Sequence, residues 1–156
     1  MEKVAIDEVD SWLSPASAKR PLSRALGAEN VAINHYELAP GESFAFGYHS
    51  HERQEEVFYV TAGEATFETE DREVVVRAGE LVRFAPGEWQ QGRNDGDERV
   101  HALALGAPAE SGETTILREC PDCGERTPQE VERAPDDDAA LVTVCVDCGT
   151  ETGRFT

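Results

Sequence analysis

From Val31 onward, apolar positions recur in short alternating runs broken by turn residues. The spacing predicts strands over Val31 to Leu38, Ser43 to Tyr48, Val57 to Thr61, Ala65 to Thr69, Glu73 to Val76, Leu81 to Phe84 and Arg99 to Leu105. Pro40-Gly41, Ala62-Gly63-Glu64, Glu70-Asp71, Ala78-Gly79, Pro86-Gly87 and Asn94-Asp95-Gly96 punctuate them. Many short strands without a long helical period imply an all-β sandwich or barrel. Before Val31 there is one amphipathic piece, Val4 to Leu13, and a Ser/Pro-rich stretch through Pro21. The expected organisation is an N-terminal arm over 1–29, a barrel over 30–110 and a cysteine-bearing unit over 118–152.

The strand period places chemistry on one face. His49 and His51 are two residues apart, so both leave the same side of an extended strand, and the next strand can return Glu56 to that side. Phe58 and Val60 then share the face of Glu56, while Val57 and Tyr59 point the other way, so that strand is expected to be covered on both sides. Two imidazoles and a carboxylate with open coordination positions suit a divalent transition metal. The competing readings are a solvated charged loop around Glu52, Arg53, Glu55 and Glu56, and a barrel that holds no metal. Tyr48 and Trp89 flank proposed ligands and, with Phe58, are candidates to line a small-molecule pocket; core packing is the alternative for an aromatic in a strand. His35 and His101 lie in strands without ligand spacing and read as packed or surface histidines.

All four cysteines fall in the tail, as Cys120-Pro121-Asp122-Cys123-Gly124 and Cys145-Val146-Asp147-Cys148-Gly149. Two Cys-x2-Cys knuckles 21 residues apart can set four thiolates around one structural zinc, each glycine easing the turn toward the sulfurs. The segment between them fits a hairpin with arms Thr127 to Arg133 and Ala140 to Val144 and the tip Pro135-Asp136-Asp137-Asp138. Its core would be Val131, Leu141, Val142, Val144 and Val146, too little to fold without the metal. Disulfides are the other option; a reducing compartment argues against them.

Charge changes the setting more than the fold. Thirty-two Asp and Glu face 14 Lys and Arg, only Lys3 and Lys19 are lysines, and the formal net charge is −18. A lysine-poor acidic surface suits a halophilic cytoplasmic protein, an ordinary acidic protein being the alternative. The same charge argues against nucleic acid and anionic membrane as partners. The tail carries ten acidic and four basic residues from Arg118 to Thr156, so it too lacks an electropositive face. No apolar run reaches a membrane span and the N-terminus has no signal-peptide core.

The run His49-x-His51-x4-Glu56-x6-Gly63 resembles the first motif of the cupin superfamily. The stretch GELVRFAPGEWQQGRN from Gly79 to Asn94 resembles the second, with Gly79, Gly87 and Asn94 in register. Pro86 sits one place late, and Gln90 stands where that motif carries its fourth ligand, a histidine. Gly41 and Gly47 are not in register with the start of the first motif. The resemblance implies a double-stranded β-helix, or jelly-roll barrel, holding Fe, Mn, Zn or Ni through His49, His51, Glu56 and Gln90. It implies a dioxygenase- or isomerase-like enzyme acting on a small molecule, often as a homodimer. A non-catalytic binding or sensor module is the alternative. The cysteine unit looks like a zinc ribbon, holding zinc through Cys120, Cys123, Cys145 and Cys148 and either capping the barrel or docking a partner.

Overall fold

The computed structural model describes residues 1–156 and is built almost entirely of strands. In chain order these are β1 (Ala18–Pro21), the short helix α1 (Leu22–Leu26), β2 (Ala32–Leu38), β3 (Tyr48–His51), β4 (Glu55–Ala62), β5 (Glu64–Thr69), β6 (Glu73–Arg77), β7 (Leu81–Phe84), β8 (Gln90–Arg93) and β9 (Val100–Ala107). The tail adds β10 (Thr114–Cys120), β11 (Glu125–Ala134), β12 (Asp137–Cys145) and β13 (Glu151–Phe155). A five-stranded sheet runs β1-β2-β9-β4-β7, and an eight-stranded sheet runs β13-β12-β11-β10-β3-β8-β5-β6. Antiparallel strands passing between the two sheets make a double-stranded β-helix. No helix is long and apolar enough to cross a membrane.

The inward positions of the two sheets form one core. Strand β9 alternates buried Val100, Ala102 and Ala104 with half-buried outward residues, as period two requires. Phe44, Phe58, Phe67 and Phe84 pack ring against ring in the centre, with centroids 5.0 Å apart for Phe44 and Phe58 and for Phe58 and Phe67. Phe58 and Val60 of β4 are buried and share this face, while Val57 and Tyr59 are half-buried on the outside. Asn94 is fully buried and staples the end of β8: its amide donates to the carbonyls of Leu38 and Glu98, and its oxygen accepts from Gly96 N–H.

Several stretches differ from the pattern-based expectation, which also contains no strand over Gln90–Arg93 or Thr114–Cys120. Residues 43–47 do not form a strand; Ser43 makes one bridge to Arg93, its hydroxyl donates to Ala45 C=O, and regular pairing starts at Tyr48. The local Ser hydrogen bond competes with ladder formation and lets Phe44 drop into the core. Val4 to Leu13 contains only a single 3-10 turn, Ile6–Glu8. Ala18–Pro21, within the stretch read as an arm, pairs with Glu37 to Asn34 of β2 and so extends the five-stranded sheet.

The tail is continuous with the barrel. Strand β10 pairs with β3 at one edge, setting Thr114 opposite His51 and Ile116 opposite His49, and with β11 at the other. Strands β11 and β12 run longer than the expected hairpin arms, and β13 adds a third tail strand to that hairpin. The tail core is Ala134, Ala140 and Val142 with Val144 against them. Val146 is exposed instead, because it lies in the knuckle between Cys145 and Cys148 rather than on a strand.

Candidate metal and ligand site

Strands β3 and β4 bring His49, His51 and Glu56 together in the barrel interior. His49 and His51 stand on one face of β3, and β4 returns Glu56 beneath them. Glu56 Oε2 lies 3.8 Å from His49 Nε2 and 3.5 Å from His51 Nε2. The three donor atoms all fall within 4.8 Å of one another.

The backs of both rings are engaged. His49 Nδ1 lies 3.1 Å from Gly47 C=O, an acceptor only, so it carries the proton. A side chain at Gly47 is excluded, since its Cβ would fall 2.6 Å from Leu117 C=O. His51 Nδ1 lies 2.9 Å from the Thr114 hydroxyl, which itself donates to Ser111 Oγ and therefore accepts from the ring. Both Nε2 lone pairs consequently face Glu56. Burial pushes the Glu56 carboxyl up; rings protonated at Nε2 as well would give it hydrogen bonds and charge that hold it down at about 2, and with both rings neutral a cation between the three groups takes that role. Two neutral imidazole nitrogens and one ionised carboxylate form a donor set that fits a divalent transition metal.

Gln90 is buried above this cluster, paired opposite His49 across β3 and β8. Its Nε2 lies 3.1 Å from His49 Nε2 and 3.0 Å from Glu56 Oε2, so the amide donates to two of the atoms a metal would use. Its Oε1 is buried without a partner. Turning the amide over exchanges the two atoms without changing its shape, and would aim the orphaned oxygen at the cluster as a neutral fourth donor.

A cavity of about 180 Å³ opens beside these residues, with Phe44, Phe58 and Ile116 among its apolar walls and Tyr36, Lys19, Ser14 and Thr114 among its polar ones. Phe58 therefore lies where the strand period puts it. Tyr48 and Trp89 do not reach the cavity. Tyr48 precedes His49 on β3 and points to the opposite face, where it stacks on Trp89 at 5.4 Å and 17°. Arg126 of the tail lies over the Tyr48 ring at 4.9 Å and pairs with Glu68 at 2.8 Å, so this aromatic pair fastens the tail to the outside of the barrel. The wall residues contributed by β1, β2 and β10 depend on non-local strand pairing. Short-range spacing carries no signal for them.

His35, Glu37 and His101 form another close cluster on the outer face of the five-stranded sheet. Arg20 already holds Glu37 at 2.6 Å and Arg99 stands 4.0 Å away, so positive charge occupies the place of a cation there.

In the tail, Cys120 Sγ lies 3.5 Å from Cys148 Sγ and Cys123 Sγ 3.9 Å from Cys145 Sγ. These spacings are too long for disulfides and match the ~3.8 Å edges of a tetrahedron with ~2.3 Å zinc–sulfur bonds. Gly124 and Gly149 take positive φ of 75° and 79° and return their N–H to the carbonyls of Cys120 and Cys145, closing each knuckle. The Thr127 hydroxyl beside Cys145 holds its thiol down to about 6, while the neighbouring sulfurs of Cys148 and Cys120 push Cys123 up. Four sulfurs this close cannot all ionise without a cation between them, so these residues fit zinc.

The cupin domain family model matches residues 34–106. The oxalate-binding protein of Thermotoga maritima is 32% identical over 68 residues, which are 44% of this chain and 54% of that protein; the match thus spans about half of the relative's length. Among solved structures, a cupin-superfamily sugar phosphate isomerase from Silicibacter pomeroyi superposes with a TM-score of 0.62 at 21% identity, covering 99% of this chain and 92% of that one. A double-stranded β-helix protein from Klebsiella pneumoniae gives 0.59 at 18% identity over 72% and 94%. At these identities the solved structures speak to the fold alone.

Proposed function

The chain is a cupin in its residues 34–106, and from that premise we propose a metalloenzyme that acts on a small molecule through His49, His51 and Glu56. The single observation that carries this reading is the fixing of both Nδ1 atoms, which leaves two Nε2 lone pairs and an ionised carboxylate convergent beside a cavity. Gln90 supplies a fourth, weaker donor once its amide turns. His49, His51 and Glu56 would hold a divalent Fe, Mn, Zn or Ni ion, whose contribution when bound would be Lewis-acid polarisation of a substrate oxygen or activation of water or dioxygen. The protein's own contribution is shape and dryness: Phe44, Phe58 and Ile116 exclude water, and Tyr36 remains a neutral hydroxyl donor because burial and the Glu56 charge push its ionisation far up. The oxalate-binding relative favours a small organic ligand, and a dioxygenase- or isomerase-like reaction fits such a site.

In this reading the barrel occupies 30–110 and a zinc ribbon occupies 118–152, its zinc structural and bound by Cys120, Cys123, Cys145 and Cys148. One observation favours a second reading, a binding or sensor module that signals through the ribbon: β10 touches His51 through Thr114 and ends on Cys120. Metal analysis by mass spectrometry tests the first reading. The wild type is expected to hold two metals per chain, one lost in His49→Ala/His51→Ala and the other in Cys120→Ser/Cys123→Ser. A single zinc lost only with the cysteines would end the metalloenzyme reading.

A further inference from the structure

Lys19 is one of only two lysines in the chain, and it points into the barrel. The register of β1 against β2 sets Lys19 opposite Tyr36 and Arg20 opposite His35. Alternation turns Arg20 outward to its ion pair with Glu37 and turns Lys19 inward. There its ammonium sits 5.7 Å from the Tyr36 ring centroid, in the wall of the cavity that also holds His49, His51 and Glu56. No carboxylate oxygen comes within 4.0 Å of it, although acidic residues outnumber basic ones by 32 to 14. Burial lowers its pKa against the opposing pull of Glu56, as expected of a cation held from water without a close counter-ion.

We propose that Lys19 binds the carboxylate of a small organic acid in this cavity, and so makes an anion the substrate class of the site. The proposal deepens the metalloenzyme reading and rests on it. An unpaired, desolvated ammonium gains most from an incoming anion, which supplies the missing charge and accepts its hydrogen bonds. Ser14 and Tyr36 hydroxyls line the same cavity and offer further donors. The volume of about 180 Å³ is well below the ~300–1,000 Å³ of pockets for drug-sized ligands and limits the ligand to a few heavy atoms. With a divalent ion on the triad, the ion and Lys19 together outweigh the one charge of Glu56, giving an electropositive pocket inside a chain of net charge −18.

Calorimetric titration of oxalate and of its neutral isostere oxamide into wild type, Lys19→Met and Lys19→Arg tests this, with metal content measured on the same samples. Lys19→Met is expected to weaken oxalate binding by roughly ten- to a hundred-fold, the worth of a hydrogen bond to a charged group. It should leave oxamide binding and metal content at wild-type values, and Lys19→Arg should retain part of the oxalate affinity. Circular dichroism verifies folding, and Lys19→Gln replaces Lys19→Met if that variant does not fold. Wild type that binds no oxalate, or a neutral variant that binds it as wild type does, would overturn the proposal. Lys19-dependent oxalate binding by a barrel without metal would instead sink the metal reading and leave this one standing.

Discussion

The Thr114 hydroxyl lies 2.9 Å from His51 Nδ1, across the pair in which β10 sets Thr114 opposite His51. The first strand of the tail thus orients a ring of the barrel cluster. Thr114→Val keeps the shape and removes the acceptor. Partners behind a metal-bound imidazole typically contribute ~10 to 100-fold in metal affinity, and that loss is expected at the barrel site. Competition with a chromophoric chelator reads it, with the four-cysteine metal as internal control. Unchanged affinity at both sites would remove Thr114 from the metal-binding apparatus.

The convergence of His49, His51 and Glu56 was legible because it depends only on the two-residue period of a strand and one short turn. Gln90 was legible through its place in a motif. Thr114, Lys19 and Tyr36 were not: each reaches the cavity through pairing of strands distant in the chain, which local patterning does not encode. Tyr48 and Trp89 show a different limit. Proximity in sequence to a ligand suggested a pocket wall, yet the same alternation that turns His49 inward turns Tyr48 outward. The expected tail core differs from the observed one at Val146, where a knuckle interrupts the strand period, and at Val131 and Leu141, which are half-buried and outside the apolar cluster.

Gln90 now donates to His49 and Glu56 while its own oxygen goes unpartnered. Gln90→His replaces a neutral amide with imidazole, a stronger donor for the metals considered. It is expected to tighten barrel metal binding by roughly ten-fold or more, by analogy with the cost of weakening a shell. Isothermal titration on metal-stripped protein measures the change, and equal affinity would place Gln90 outside the coordination shell.

Phe58 inside the barrel and Arg126, over the outward Tyr48 ring, stand on opposite sides of the barrel wall, and their substitutions should separate. Phe58 is 2% exposed in the central cluster, so Phe58→Ala should cost about 3–5 kcal/mol in unfolding free energy. Arg126→Ala removes a partly exposed cation–π contact and two partly exposed ion pairs, to Glu68 and Glu119, about 1–2 kcal/mol together. Denaturant titration gives both values. Metal and oxalate affinities should be untouched by Arg126→Ala, and a loss there would mean that the outer stack reaches the cavity.

The Arg20–Glu37 pair locks β1 to β2 on the outside and thereby fixes the inward aim of Lys19. Burial raises Glu37, but the hydrogen bond and charge of Arg20, then the charge of His101 and His35, outweigh it and hold the carboxyl below its ordinary value. A depressed folded pKa means that the unfolded chain binds the proton first. The stabilisation is therefore complete above the unfolded value of ~4.3 and is lost as pH falls through the lower folded one. Melting temperature should drop on acidification below that value, less steeply in Arg20→Gln. Parallel curves for the two proteins would show that the pair contributes nothing there.

Removing the tail metal should be felt in the barrel. The apolar cluster of the tail is only Ala134, Ala140 and Val142 with Val144 beside them, so its hairpin has little to hold it once the four sulfurs are released. Strand β10 connects the two sites: Cys120 ends it, Ile116 walls the cavity and Thr114 holds His51. Chelation, or acid that protonates the thiolates, should therefore free β10 from β3 and weaken metal binding by His49, His51 and Glu56. Amide hydrogen exchange in Cys120→Ser/Cys123→Ser should show lost protection over Thr114–Cys120 while β4 and β9, paired with each other inside the five-stranded sheet, stay protected. Full protection of β10 in that variant would mean that its pairing with β3 stands without the metal, and that the two sites act independently.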